Sequence, residues 1–329
     1  MVKIGIIGCG GMGGTHNMAL KQISSEMDVE VVAVADLFEE KMEKMKKLWP
    51  NAISYKTGKE LIDNSDCDTI YICLPSYLHS EHIIYGLKHN KNVFSEKPIC
   101  LTKEEIKALR EVNLNNNKVF VGHVVRFFPE YLYLKECYDN KTFGKLLSLD
   151  MKRSGGFPRW SWDDWFGTDS KCGSVVLDLH IHDVDYLTYL FGANPTLLSK
   201  QTTTFESGMI NHINAQFQFE DTVCNVLAHW DRVSCYAFRA EFVACFENAT
   251  IEFSNNVVKV YTTEEKVFEP KLIEVKTEHE IEGINITNVG PYYLEDKFFM
   301  YCIINDEEVE DCNIEQSTNS VAIAIDERS

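Results

Sequence analysis

The sequence has few of the features that mark secreted or membrane proteins. Its 11 cysteines include no C-x-x-C pair, and no apolar run approaches the length of a membrane span. The first residues contain no hydrophobic segment of the kind found in signal peptides. We therefore expect reduced, buried thiols and a cytoplasmic protein without a membrane partner.

Positive charge is also scarce. The 329 residues include 32 lysines and arginines against 50 aspartates and glutamates, for a formal net charge of −18. Because nucleic-acid binding requires clustered cations, this balance argues against a nucleic-acid partner and leaves a small neutral substrate open. There is no internal repeat and no low-complexity linker. The apolar content of 45% suffices for large cores, and the length corresponds to about two domains.

The first third of the chain alternates strand-like and helix-like segments. Continuous apolar strands separated by helices are typical of a doubly wound parallel sheet covered on both faces. The predicted strands are 2–7, 29–35, 69–73, 92–95 and 118–121, and the predicted helices are 12–25, 38–48, 77–90 and 102–116. Thr102 and Glu105 have the spacing of a capping box at the start of the last of these helices.

The pattern changes after about residue 122. A helix over 129–140, a strand over 145–153, a tryptophan-rich loop and a helix over 174–191 come first. A nearly continuous strand pattern over 196–270 and helices over 291–305 and 314–328 follow. We therefore predict an α/β protein of two domains: a Rossmann domain over 1–122, and an α+β domain over 123–329 with a large, mostly antiparallel open sheet.

A glycine-rich loop joins the first predicted strand to the first predicted helix. It reads Gly8-Cys9-Gly10-Gly11-Met12-Gly13, or G-x-G-x-x-G. The first glycine permits a tight turn, the second lets the backbone approach a pyrophosphate, and the third lets helix and strand pack closely. The phosphates would lie at the positive end of the helix. The alternative is an ordinary structural turn.

An acidic residue follows the second predicted strand, 23 residues after the last glycine of the loop. At about this offset a carboxylate such as Asp36 accepts hydrogen bonds from an adenosine ribose. It would also repel the 2′-phosphate of NADP, and no arginine follows it directly. We therefore predict a site for NAD rather than NADP.

Glu96-Lys97-Pro98 directly follows the fifth predicted strand. In a doubly wound sheet the carboxyl ends of the strands line the ligand crevice, so Lys97 is expected at the same edge as the glycine loop. A lysine there can neutralise developing alkoxide charge or shuttle a proton. The alternative is a surface lysine after a strand. Pro98 fixes a turn, and its peptide bond can be cis.

A second candidate pair is Asp178 and His182, which lie one turn apart if this segment is helical. A carboxylate beside an imidazole orients the ring and stabilises its protonated form, as a general base requires. The alternatives are a core histidine satisfied by an aspartate, or an acidic helix patch. His180 and His182 do not share a helix face, and no second Cys/His cluster has metal-ligand spacing, so we predict no metal site.

Several further residues have both a binding and a structural interpretation. Pro75 and His79 follow the fourth strand, near the expected position of the nicotinamide, although His79 could instead be an ordinary histidine at a helix start. Arg126 and Arg153 could bind polyol oxygens or pair with acids. Trp165, in the tryptophan-rich loop, could form an apolar platform for a sugar ring or belong to the core.

Together these motifs resemble the Gfo/Idh/MocA oxidoreductases, the family of glucose–fructose oxidoreductase and inositol dehydrogenase. The resemblance covers essentially the whole chain. It rests on the glycine loop with His16 just after it, Leu74-Pro75 with His79, Val93 to Pro98, Arg126 to Pro129, Asp163 to Phe166, and Asp178 with His182-Asp183.

The resemblance implies an oxidoreductase that uses NAD to transfer a hydride to or from a hydroxyl or carbonyl carbon of a sugar, an inositol or a related polyol. Lys97 would polarise the reacting oxygen, Asp178 would orient the substrate and His182 would remove a hydroxyl proton. The implied cofactor-binding residues are Gly8, Cys9, Gly10, Gly11, Met12, Gly13, Asp36, Leu74, Pro75, His79, Glu96 and Lys97. The family also implies a homodimer or homotetramer formed through the C-terminal sheet.

The chain departs from the family's common pattern at Ser174, where a second glycine is frequent, and at His180, where a small residue is frequent. Ser76-Tyr77-Leu78 also replaces the usual asparagine-containing turn. These departures leave the substrate unassigned. Two alternatives stay open: redox-assisted sugar interconversion or glycoside cleavage with retained NAD, and a non-catalytic dinucleotide-binding sensor. The joint presence of Lys97, Asp178 and His182 argues against the sensor.

Overall fold

The computed structural model describes residues 1–275 and 289–328, which fall into two compact units. The first comprises the described residues of Met1–Phe127 and Val275–Asn319, and the second comprises those of Phe128–Glu274 and Ser320–Ser329. In the part of the chain that is described, no helix is long and apolar enough to cross a membrane.

The first unit is built on a parallel sheet of six strands, which confirms the predicted doubly wound architecture. The strands are β1 (Val2–Ile7), β2 (Val29–Ala35), β3 (Ile53–Tyr55), β4 (Thr69–Ile72), β5 (Asn92–Glu96) and β6 (Val119–Gly122). Their order in the sheet is β3-β2-β1-β4-β5-β6. The connecting helices are α1 (Gly11–Ile23), α2 (Glu39–Lys46), α3 (Gly58–Asn64), α4 (His79–Lys88) and α5 (Lys103–Glu111). Successive strands are added to one side of β1 up to β3 and to its other side from β4 onwards, and such folds bind ligands at this switch between β1 and β4.

Two elements of this unit were not predicted, namely β3 and α3. The strand β3 has three residues at the edge of the sheet, and its Ile53 is exposed, so no apolar pattern marks it. The helix α3 has seven residues, too few for a clear helical period. The predicted capping box is confirmed, because Thr102 accepts from the Glu105 amide at 3.2 Å and Glu105 accepts from the Thr102 amide at 3.0 Å.

The second unit is built on a sheet of eight strands, which confirms the predicted large and mostly antiparallel sheet. The strands are β7 (Leu146–Gly156), β8 (Thr196–Thr204), β9 (Ile210–Phe219), β10 (Thr222–Asp231), β11 (Arg239–Phe246), β12 (Ala249–Ser254), β13 (Val257–Thr262) and β14 (Val267–Phe268). Their order is β14-β13-β12-β11-β7-β10-β9-β8. Only β7 and β10 pair in parallel among these described strands.

The helices of the second unit precede and interrupt the strands. They are α6 (Pro129–Asp139), α7 (Asp169–Cys172) and α8 (Ile181–Phe191). The helix predicted over 174–191 is not one regular helix. A π-helical turn over Val176–His180 precedes α8, and Gly173 and Ser174 have φ of +74° and +64°. Ser174 thus keeps the left-handed backbone that favours glycine. A Cβ on Gly173 would lie 2.6 Å from the Leu177 side chain.

The C-terminal helices are α9 (Gly290–Ile304) and α10 (Ile314–Arg328). Residues of α9 belong to the first unit, where the buried ring of Phe299 lies 5.7 Å from that of Phe120. The compact units of the structure divide the chain at other points than the predicted boundary at 122/123. The first break follows Phe127, and the described residues 289–319 return to the first unit. Apolar side chains occur on all sides of α9, so its sequence does not indicate which sheet it covers.

Candidate active site

The three glycines of the G-x-G-x-x-G loop have three different environments. Gly8 has φ of +94°, and a Cβ there would lie 2.4 Å from the carbonyl oxygen of Cys73. A Cβ on Gly13 would lie 1.9 Å from the carbonyl oxygen of Gly8, whereas a Cβ on Gly10 would meet nothing within 4 Å. Position 8 therefore requires glycine for its left-handed backbone and its close backbone contact, and position 13 requires glycine for its close backbone contact. At position 10, glycine keeps clear the space through which a pyrophosphate would approach.

The helix α1 starts directly after this loop, with Gly10 as its N-cap residue. No side chain caps the helix, and its first turn contains no acidic residue. Gly11 is exposed and Met12 is half-buried. Burial raises the pKa of the Cys9 thiol to about 12, and the neighbouring Asp36 adds to the rise. The Cys9 thiol is therefore an unreactive part of the turn. The uncapped helix start, with its positive end, suits an anion.

Asp36 follows β2 at the same edge of the sheet as the glycine loop. Its Oδ2 accepts from the backbone N–H of Cys9 at 2.8 Å, and its Oδ1 accepts from that of Phe38 at 2.9 Å. Each carboxylate oxygen has a further lone pair. The side chain is half-buried, so the carboxylate is held by the backbone and can still accept from a ribose hydroxyl.

The turn after β4 is held by the residue that was predicted near the nicotinamide. Leu74 and Pro75 are half-buried, but His79 is 1% exposed. Its two ring nitrogens lie 2.7 Å from the carbonyl oxygen of Leu74 and 2.8 Å from that of Pro98. The structure thus favours the second interpretation, a structural histidine at a helix start. His79 links the two loops that follow β4 and β5.

Glu96 is the last residue of β5 and Lys97 follows it, but the two side chains have different surroundings. Lys97 is half-buried, and the Lys97–Pro98 peptide bond is cis. Glu96 was predicted in the cofactor-binding set, but it is buried and its carboxylate accepts from His16 Nε2 at 3.1 Å. Its other oxygen accepts from the Lys97 backbone N–H at 3.1 Å. Glu96 therefore supports Lys97 from inside the unit.

A cluster of titratable side chains lies in the interior of this unit. The Nδ1 of His16 is 2.9 Å from Asp296 of α9, and Glu295 is the residue before it. His16, Glu295 and Asp296 are completely buried, and their ligand atoms all lie within 4.8 Å of one another. The sequence motif included His16, but both acids were missed. The available signal was two adjacent acids inside a largely apolar helix.

The second unit carries the other predicted catalytic pair. Asp178 lies in the π-helical turn, and His182 lies in the first turn of α8. Both side chains are half-buried, whereas Asp183 beside them is buried. Asp178 and His182 are therefore the solvent-accessible titratable residues of this segment. Single π-helical turns are frequent at functional sites because they change which side chains share a helix face.

His180 faces the interior of the second unit, where its Nε2 hydrogen-bonds Glu327 of α10. His180 is completely buried and Glu327 is 1% exposed. The two histidines at 180 and 182 therefore have different surroundings, as expected for residues two apart on a helix. This arrangement gives His180 a structural role and does not combine the two rings as metal ligands.

The three residues predicted for substrate have structural contacts. Arg126 is 2% exposed and its Nη1 donates to Gln316 at 2.7 Å. Arg153 is 5% exposed and donates to Asp183 at 2.7 Å and to the Tyr131 hydroxyl at 3.1 Å. For both arginines the structure favours the interpretation as internal partners of other side chains. Trp165 is half-buried and its ring stacks on buried Phe166 at 3.9 Å.

Two family models match this chain. The model of an oxidoreductase family with an NAD-binding Rossmann fold, designated GFO_IDH_MocA, matches residues 2–123. The model of the GFO/IDH/MocA C-terminal domain matches residues 131–252. Both units of the structure therefore contain sequence matched by models of one family.

Curated relatives share part of this sequence. A myo-inositol 2-dehydrogenase from Thermotoga maritima is 30% identical over 194 residues, which are 58% of this chain and 55% of that protein. A 2,7-anhydro-N-acetylneuraminate hydratase from Mediterraneibacter gnavus is 28% identical over 162 residues, 49% of this chain and 42% of that protein. The chain thus spans about half the length of the curated relatives it matches.

The fold is also found in solved structures. A levoglucosan dehydrogenase in complex with NADH and levoglucosan superposes with a TM-score of 0.83 at 18% sequence identity, over 98% of this chain and 95% of that chain. At this identity the likeness establishes the fold.

Proposed function

This chain belongs to the Gfo/Idh/MocA oxidoreductase family, and we propose that it is an NAD-dependent oxidoreductase acting on a sugar, an inositol or a related polyol. It would transfer a hydride between the nicotinamide and a hydroxyl or carbonyl carbon of that substrate. One observation carries the proposal. The glycine loop, Asp36 and Lys97 follow β1, β2 and β5, which are parallel strands of the six-stranded sheet, so all three lie at the edge formed by the carboxyl ends of its strands.

The first unit fits NAD at two points. The open space at Gly10 and the uncapped start of α1 would hold the pyrophosphate, and Asp36 would accept from the adenosine ribose. When bound, NAD accepts or supplies the hydride at its nicotinamide ring. Side chains of the protein would bind the substrate, stabilise charge and move protons.

We assign the proton and charge chemistry to three side chains. The ammonium group of Lys97 would stabilise negative charge on the reacting oxygen. His182 would take the hydroxyl proton during oxidation and return it during reduction. Asp178 would orient the substrate and stabilise the protonated imidazole. The half-buried state of all three side chains supports this assignment, because each is supported by the protein and accessible to a small molecule.

We also propose that the protein is cytoplasmic and forms a homodimer or homotetramer through the eight-stranded sheet. Alternate residues of β10 are buried, and those between them are half-buried. One face of this strand thus packs within the unit, and the other is available to a second copy. Light scattering after size-exclusion chromatography measures the assembly directly.

A second function is favoured by the relatives that are named hydratases. The similarity to a hydratase supports redox-assisted chemistry, in which NAD stays bound and is regenerated within each catalytic cycle. This function predicts tightly retained NAD in the purified protein and conversion of substrate without net formation of NADH.

The test is a panel of sugars and inositols assayed with NAD and NADP in parallel. Near-ultraviolet absorbance would follow NADH, and chromatography would follow loss of each compound. NADH formation supports the dehydrogenase, whereas loss of a compound without NADH supports the redox-assisted alternative. NAD binding without conversion of any compound would leave the sensor.

Lys97→Ala identifies the site of the reaction. We expect kcat to fall by about 10²-fold or more, with NAD affinity changed by less than about threefold. Lys88→Ala is the matched control, because Lys88 is an exposed lysine of α4 with no assigned role. Equal activity of the two variants would contradict the role given to Lys97.

A further inference from the structure

His16 is held between two carboxylates in the interior of the first unit. Its Nδ1 lies 2.9 and 3.1 Å from the two carboxylate oxygens of Asp296, and its Nε2 lies 3.1 Å from Glu96 Oε1. A neutral imidazole carries one N–H, so it can donate to one carboxylate only. When Asp296 and Glu96 are both ionised, both nitrogens must donate, and His16 is then an imidazolium.

The pKa shifts of His16 and Glu96 agree with this charge state, although burial raises the pKa of Asp296 and opposes its ionisation. Burial disfavours the charged ring, but Asp296 and Glu96 outweigh it and raise the pKa of His16 well above its ordinary value. Burial also opposes ionisation of Glu96, yet His16 outweighs it and lowers the pKa of Glu96. The rings of Phe94 and Tyr292 lie 4.7 and 5.9 Å from that of His16, so water does not screen these charges.

Glu96 connects His16 to Lys97 through hydrogen bonds of its two carboxylate oxygens. Its Oε1 accepts from His16, and its Oε2 accepts from the backbone N–H of Lys97 at 3.1 Å. A carboxylate with both oxygens engaged has little freedom to rotate. A continuous chain of hydrogen bonds therefore runs from Asp296 on α9, through His16 on α1 and Glu96 at the end of β5, to the amide of Lys97.

The same residues include a possible metal-ligand set, but the proton arrangement argues against a metal. With a proton on each nitrogen, His16 has no lone pair for a metal ion. Burial raises the pKa of Glu295 well above its ordinary value, which favours the protonated, neutral form of this side chain. Its carboxyl oxygens have no hydrogen-bond partner among the described residues. In its neutral form, Glu295 thus lies beside this series of hydrogen bonds without taking part in it.

We propose that His16 and Asp296 are positioning residues for Lys97, a role that rests on the function proposed above for that lysine. Asp296 keeps His16 charged, and the imidazolium fixes the carboxylate of Glu96. The carboxylate then fixes the start of the loop that carries Lys97. Neither His16 nor Asp296 touches substrate or cofactor in this role.

The first test needs no turnover. In protein labelled with ¹⁵N, the ring nitrogens of His16 and the backbone amide of Lys97 would be followed by NMR as the pH is raised from about 6 to about 9. The His16→Gln variant identifies the ring signals by their loss. We expect wild-type His16 to keep both ring protons throughout. In Asp296→Asn the ring should lose a proton within this range, and the Lys97 amide should shift with the same pH dependence.

The second test measures kcat over the same pH range with the best substrate of the panel. In Asp296→Asn we expect a kcat about 10- to 100-fold below wild type at high pH and a smaller loss at low pH, where the ring is again protonated. The KM for NAD should change by less than about threefold. Glu295→Gln is the matched control, because it changes an adjacent buried acid that is already neutral. Its kcat profile should follow that of wild type.

The outcomes separate this inference from the proposed function. A pH-independent loss of kcat in Asp296→Asn would indicate a merely structural role and would overturn the proposal. The proposal would also be overturned if wild-type His16 lost a ring proton below about pH 8. The same holds if Asp296→Asn left the chemical shift of the Lys97 amide unchanged. If no compound is converted but the NMR shifts appear as expected, the chain of bonds stands and the proposed reaction fails.

Discussion

The backbone N–H of Cys9 donates to the carboxylate of Asp36 over 2.8 Å. This bond joins the glycine loop to the residue that follows β2. The second carboxylate oxygen accepts from the N–H of Phe38, so the backbone holds the side chain in one orientation. Such preorganisation reduces the entropy lost when a ribose binds. In the proposed site it would also place a negative charge near the 2′-phosphate of NADP.

Asp36→Asn removes this charge and keeps the shape of the side chain. Since a hydrogen bond to a charged group contributes about 1.5–3 kcal/mol, we expect NAD affinity to fall by about tenfold or more. Affinity for NADP should rise relative to NAD, because repulsion of the phosphate is lost. Titration with both cofactors measures the ratio. Glu39→Gln is the control, since it removes an equal charge from the nearby exposed start of α2. An unchanged ratio in Asp36→Asn would refute the assignment.

Alanine substitutions at Gly10 and Gly13 should separate the effect of the loop on NAD binding from its effect on folding stability. A Cβ at position 10 enters open space, so Gly10→Ala should keep the stability of the wild type and weaken NAD binding. A Cβ at position 13 would lie 1.9 Å from a carbonyl oxygen, so Gly13→Ala should lower the free energy of unfolding by about 1–3 kcal/mol. Thermal unfolding without cofactor and NAD titration distinguish the two.

Gly14→Ala is the control for both substitutions. A Cβ on Gly14 meets nothing within 4 Å and the residue lies inside α1, so this variant should gain about 0.5–1 kcal/mol of stability. If Gly10→Ala binds NAD as tightly as wild type, the space at position 10 does not receive the pyrophosphate.

The two histidines of the second unit should respond in opposite ways to alanine. His182→Ala should lower kcat/KM by about 10²- to 10⁴-fold without loss of stability, because it removes the proposed base. His180→Ala removes the buried partner of Glu327 and should destabilise the unit by about 3–5 kcal/mol. Activity and thermal unfolding would be measured on both proteins. A stable, fully active His182→Ala would exclude this residue as the base.

Glu295→Gln should stabilise the protein increasingly as the pH rises. The folded-state pKa of Glu295 lies well above its ordinary value of 4.5, so the folded chain keeps a proton that the unfolded chain releases. Glu295 therefore makes its full contribution to stability below about pH 4.5, and this contribution is lost as the pH rises towards the folded-state pKa. Glutamine mimics the neutral acid and has no proton to lose.

The expected gain is at most about 1.4 kcal/mol for each pH unit above about pH 4.5. Urea midpoints of the variant and the wild type, compared between about pH 5 and about pH 8, measure it. Glu308→Gln, at an exposed position, should give a difference that does not vary with pH. A constant difference for Glu295→Gln as well would mean that Glu295 is ionised in the folded protein.

Much of the first unit could be predicted because its signals are local. The apolar strands, the glycine loop and the Thr102–Glu105 capping box each lie within a few residues of sequence. The position of α9 could not be predicted. Its apolar side chains suit any buried surface, and only the fold shows that Phe299 packs beside Phe120. The left-handed backbone at Ser174 was equally hidden, since serine there suggests a regular helix.

The residues of the candidate site also fall into two groups: those marked by local sequence signals and those whose role depends on long-range contacts. Gly10, Asp36 and Lys97 are marked by their positions at strand ends, so the sequence places them at one edge. Arg153 carries no such mark, and a buried ion pair looks the same in sequence as a ligand-binding arginine. The role of His79 also depends on a contact with the carbonyl oxygen of Pro98, a residue far along the chain. Long-range partners of this kind become visible only in the folded structure.

The strand order of the eight-stranded sheet has a consequence for synthesis on the ribosome. The first strand of this sheet to emerge, β7, is one of its central strands, and its two neighbours are β10 and β11. Both edges of β7 therefore stay unpaired until the residues after Thr222 have been made. The segment with Asp178 and His182 emerges during this interval, beside an incomplete sheet. An unpaired strand edge is a template for aggregation, so the nascent chain is most exposed to misassembly while its proposed reacting residues are being made.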